Sequence, residues 1–195
     1  MSAAVASDLG KFAIKFFLRR PDALDLESMV PVFHRWIQAH AVPGILIDVA
    51  DYGHLPNGPG VVLIGHEADF FVDAAEGPLG LLYNRKLRDE GPFADRLRSA
   101  LRVTLDAGVR LEEEFDGAVK LEGGKALFLA NDRLVAPNTD EAFAALRADL
   151  ESVFGALYGG RVELHRDLRD PRRRLTVEIQ GPGAIDLSTL RARLG

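Results

Sequence analysis

The chain has 195 residues, 47% of them hydrophobic, which is enough to bury a substantial core as one domain or as two halves sharing one core. Its formal net charge of -5, with both signs interspersed, argues against nucleic acid as the main partner, because phosphate binding needs a basic face. With no cysteine, disulfides, thiol catalysis and thiolate-held metal are excluded, and no apolar run approaches the roughly 18 residues of a membrane span.

MSAAVASDLG lacks the basic region and apolar stretch of a secretory signal, so a cytoplasmic protein with a flexible N-terminus over residues 1–10 is expected, and one α+β domain over 11–195. Lys11 to Leu18 reads as a first strand, stopped by Arg19, Arg20 and Pro21. A helix follows, capped by Asp25. Its stripe is Met29, Phe33, Trp36, Ile37 and His40, Pro31 is tolerable only in its first turn, and Pro43 and Gly44 end it. Ile45 to Tyr52 and Val61 to Phe71 then form a hairpin through Pro56, Asn57, Gly58 and Pro59.

Leu79 to Tyr83 is a third strand, and a long helix opens at Pro92 with Phe93, Leu97, Leu101 and Leu105 on one face. Ala118 to Leu121 and Ala126 to Ala130 read as a hairpin turning on Gly123 and Gly124. Thr139 or Asn138 caps a helix with Phe143, Leu146, Leu150, Val153, Phe154 and Leu157 buried, ended by Gly159 and Gly160. Two alternating strands, Arg161 to Leu168 and Leu175 to Gln180, precede a short helix from Leu187 to Leu194.

An offset of 116 residues superposes Pro21 on Pro137 and Gly44 on Gly160, bracketing a helix in each half. The expected fold is therefore an antiparallel or mixed sheet with helices on one face, built from two ferredoxin-like βαββ halves, 11–90 and 118–195, joined by the helix at 92–115. The second half lacks the acids and histidines of the first hairpin, so any site belongs to the first half.

Centring that hairpin on Asn57 and Gly58 places Asp51 diagonally beside His66 and Asp48 opposite Glu67. One reading is an enzyme of hydrolase type. Asp51, His66 and Glu67 are its acid/base groups, Tyr52, His54 and Arg85 contact substrate, and Asp48, His66, Glu67 and Asp69 can hold a divalent metal. The other reading makes these groups satisfied polar pairs, with Asp48 and Glu67 on Lys15, Arg85 or Lys86, in a non-catalytic ligand-binding or protein-interaction module. A small acidic or anionic ligand is a further expectation if Arg19, Arg20, Arg85 and Lys86 converge, and apolar residues on both hairpin faces suggest a homodimer. No nucleotide-binding, GxSxG, HExxH or EF-hand pattern is present.

VPVFHRWIQ with LIDVADYGH, GPGVVLIGHEADFFVD with GLLYNRK, and NDRLVAPNTDEAF resemble a family of conserved bacterial proteins without an assigned function. The resemblance covers Phe12 to about Ile179. It implies a stand-alone soluble protein and transfers no catalytic residue.

Overall fold

The computed structural model describes residues 5, 8–55 and 58–194; the expected turn at Pro56 and Asn57, and most of the expected flexible N-terminus, lie outside these. Within that N-terminus, Leu9 is fully buried and its carbonyl accepts a 2.6 Å hydrogen bond from the Arg96 guanidinium, so the chain is pinned from this point on.

The strands are β1 (Phe12–Leu18), β2 (Leu46–Asp51), β3 (Val61–Gly65), β4 (Ala68–Asp73), β5 (Gly80–Arg85), β6 (Leu121–Ala130), β7 (Glu163–Arg166) and β8 (Thr176–Gln180). They form one sheet in the order β2-β3-β4-β5-β1-β6-β8-β7. Every pairing is antiparallel. The helices are α1 (Met29–Ala39), α2 (Phe93–Glu114), α3 (Asp140–Tyr158) and α4 (Leu187–Leu194). The fold is thus α+β, with β1 at the centre between β5 and β6.

Strand alternation explains why one face carries the helices. Phe12, Ile14 and Phe16 of β1 share a single core with Phe70, Leu81, Phe128 and Val177 of neighbouring strands, and with Trp36, Leu97, Leu101 and Phe154 of the helices. Phe12, Phe93 and Phe128 form a ring cluster with centroids 5.6–6.0 Å apart. Each ring contributes about 1.5–3 kcal/mol through burial, and edge-on packing adds to it. Because the core is continuous from α1 to α4, the two halves do not form separate hydrophobic units.

Helix ends follow local chemistry. The Thr139 side chain accepts from the Ala142 N–H and starts α3, and Gly159, at φ 72°, ends it. α1 departs from expectation at both ends. Asp25 caps a short 3-10 turn ahead of it rather than the helix itself, and the helix stops at Ala39 on a left-handed His40, ahead of Pro43 and Gly44.

Two strand expectations are corrected. Val61 to Phe71 is not one strand: it folds back at His66 and Glu67, so β3 and β4 pair with each other, Leu63 opposite Phe70. Gly123 and Gly124 do not turn the chain either. They lie inside β6, in a bulge between the pairs Phe16–Ala126 and Phe17–Glu122. Side chains are excluded there because a Cβ on Gly124 would overlap the Gly183 carbonyl, and one on Gly123 the Ile185 carbonyl.

Candidate functional site: the helix-free face of the sheet

The opposite face of the sheet carries Ala13, Lys15 and Phe17 of β1, beside Phe71, Leu82, Leu127 and Leu129. Among the described residues no helix covers it, yet Lys15 is fully buried. Its ammonium donates to the Asp73 carboxylate at 2.7 Å and to the Asp73 carbonyl at 3.0 Å, and stands 5.6 Å from the Phe17 ring centroid. A charge so placed persists only with a close partner.

The cover comes from two loops. Asp73 opens the β4–β5 connection, which carries Glu76. The Glu76 carboxylate is held by Arg173 at 2.9 Å and by Arg174, both from the β7–β8 connection. Arg174 also donates to the Asn131 side-chain oxygen at 2.7 Å, and the Asn131 amide donates to Asn84 at 2.6 Å. In the same connection the Arg169 guanidinium, with help from its own N–H and from Arg173, holds the Asp167 carboxyl down at about 2.

Beside this strap lies an open cleft of about 490 Å³, lined by Lys11, Pro59, Phe71, Leu82, Asn84, Arg85, Lys86, Asn131 and Arg174. Four of these residues are basic and none is acidic. Lys86 is 2.7 Å from Asp69 behind the wall, and Arg85 is turned onto the Tyr83 hydroxyl, the Leu87 carbonyl and Asp89. Lys11 makes no ion pair among the described residues.

The residues singled out in the first hairpin are not brought together. β2 pairs with β3 as Asp51 opposite Val61 and Val49 opposite Leu63, not Tyr52 opposite Leu63. Asp48 accordingly faces Ile64 rather than Glu67. Asp51 and His66 lie at opposite ends of β3, and its five residues at about 3.3 Å each separate them by roughly 16 Å. Each acid is bound locally instead. Asp51 accepts from the Gly53 N–H and Asp48 from the Val49 N–H, both at 2.8 Å. Glu67 accepts from the Ile45 N–H at 3.1 Å, and that bond lowers its pKa. Asp69 accepts from Lys86 and from the Gly65 N–H. His66 is exposed in the turn, while Tyr52 and His54 are exposed at the far end of β2, away from Arg85.

Among the described residues no three His, Cys, Asp or Glu side chains are grouped to hold a metal ion. The metal set Asp48, His66, Glu67 and Asp69 and the triad Asp51, His66 and Glu67 are therefore corrected, and the hydrolase reading loses the geometry that motivated it. Lys15 meets Asp73 rather than Asp48 or Glu67. The four cations expected to converge divide instead. Arg19 and Arg20 line a cleft with Lys120 beyond the C-terminal end of β1, whereas Arg85 and Lys86 lie by its N-terminal end, where Phe12 pairs with Arg85.

What sequence reasoning missed was Lys15 with Asp73, and Glu76 with Arg174. The lone lysine in FAIKFFL, a strand buried at every position, was the available signal. No family model matches the chain, and no curated protein matches it. No helix is long and apolar enough to cross a membrane, among the described residues.

Proposed function

We propose that this protein is a non-catalytic ligand-binding module whose helix-free face takes a small organic anion. The observation that carries the reading is the cleft beside Arg174: four basic residues and no acid line it, in a chain whose net charge is -5. Phe71 and Leu82 supply an apolar floor for the body of the ligand, and Asn84 and Asn131 supply amides. Lys11 and Arg174 stand where a carboxylate or phosphate would be met. A volume near 490 Å³ is in the range of small-molecule sites.

A cytoplasmic location in a bacterial cell fits the cysteine-free composition. The order strand, helix, hairpin in β1–α1–β2–β3 and again in β6–α3–β7–β8 supports two copies of a ferredoxin-like βαββ plan. On that plan the β4–β5 hairpin is an insertion between β3 and β1.

Calorimetric titration with phenyl phosphate and with benzoate tests the site. Saturable binding of either is expected, weakened about fivefold or more by Lys11→Ala and by Arg174→Ala. Binding indifferent to both substitutions would overturn the assignment.

A further inference from the structure

An eight-stranded open sheet has two edges, and the chain treats them differently. At β2 the Tyr52 N–H donates to the Gly60 carbonyl, so by antiparallel alternation the Val49 N–H points outward. The Asp48 carboxylate already occupies it at 2.8 Å. That edge is blunted at Val49.

At β7 the Asp167 N–H donates to the Thr176 carbonyl, which turns Glu163 and His165 toward β8 and leaves the backbone of Leu164 and Arg166 facing outward. Neither residue's outward backbone groups have a partner among the described residues. Beside them runs a cleft of about 830 Å³, lined by Arg161 to His165 on one side and by Arg147 and Glu151 of α3 on the other. No proline or lysine guards this edge.

We infer that the β7 edge is a self-association surface, on which β7 of a second copy of this chain pairs antiparallel about a twofold axis through Leu164. Side-chain complementarity, with acids kept apart across the axis, selects both occupant and register. About Leu164, Glu163 of one copy lies opposite His165 of the other, and Arg161 lies opposite Asp167. An axis through Glu163 would oppose two glutamates, and an axis through His165 would set Glu163 against Asp167. An axis through Arg166 would run off the end of the strand. The Leu164 register also aligns the outward-facing residues with one another, so hydrogen bonds form at Leu164 and between Val162 and Arg166. Arg147 and Glu151 on the α3 wall bring an equal and opposite pair toward the same axis. The product is a continuous sixteen-stranded sheet, twice the eight of one copy.

The test is sedimentation velocity over about 5–500 µM, where a monomer–dimer equilibrium is expected. The side chains of Glu163 and His165 are 73% and 62% exposed, so substitutions there leave the core intact. His165→Glu sets like charges across the axis and is expected to weaken the dimer about tenfold. Adding Glu163→Lys re-pairs the charges and restores it. A monomer throughout the range overturns the proposal and leaves the edge to a foreign strand, and a dimer unmoved by His165→Glu overturns it by placing the contact elsewhere.

Discussion

Replacing Asp73 by alanine removes the carboxylate that meets the buried Lys15 ammonium, the only one to do so among the described residues. Both groups are shielded, Lys15 at 0% and Asp73 at 4% exposure, so water cannot take over. The ammonium keeps the residue 73 carbonyl at 3.0 Å and the face of Phe17, but no counter-charge, and the Ala75 N–H loses its acceptor as well. Breaking such a pair from one side costs about 3–5 kcal/mol. At roughly 2–4 °C per kcal/mol for a chain of this length, the melting temperature falls by about 6–20 °C. Removing both charges with Lys15→Met and Asp73→Ala leaves no unpaired charge at this site, so the double variant recovers to within about 1–2 kcal/mol of the parent. Urea unfolding followed by circular dichroism measures all three proteins. A cost below about 1 kcal/mol for Asp73→Ala, or a double variant worse than the single one, would refute the view that this pair is sealed by the loop strap.

Two further outcomes follow from the same face and its loops. The Asp167 carboxyl, held at about 2 chiefly by Arg169, lies below its unfolded value near 3.9, so its contribution is fully present above about pH 4 and is lost as pH falls toward 2. Asp167→Asn should flatten the acid limb of a stability–pH curve in that window, and an unchanged limb would contradict the clamp. Gly124→Ala should cost about 1–3 kcal/mol by driving a methyl group into the Gly183 carbonyl, whereas Gly160→Ala, with nothing within 4 Å, should be near neutral in the same denaturation assay.

The parts of this fold legible in the sequence were those fixed by nearby residues. The Thr139 cap, the α2 stripe of Phe93, Leu97, Leu101 and Leu105, and the alternation of Leu175, Val177 and Ile179 all act within a few positions. The break at His66 and Glu67 was hidden because neither residue is a turn former and apolar strand sequence runs on both sides. One missed turn displaced the whole β2–β3 register, and with it every side-chain pair inferred from that register. The Gly123–Gly124 pair misled for a different reason. Glycine serves a tight turn and a close backbone approach equally well, and only the position of Gly183 and Ile185 decides between them. The site was the least legible part, because Lys15 and Asp73 are 58 positions apart and Glu76 and Arg174 are 98 apart, so sheet order alone unites them.

The most direct test of the anion-binding face is to map phenyl phosphate onto the protein by backbone amide chemical shifts. Saturating shifts are expected, confined to Lys11, Leu82, Asn84, Lys86, Asn131 and Arg174, the residues around the cleft floor and rim. Shifts centred on Arg19, Arg20 and Lys120, or no saturating shift at any amide, would contradict it.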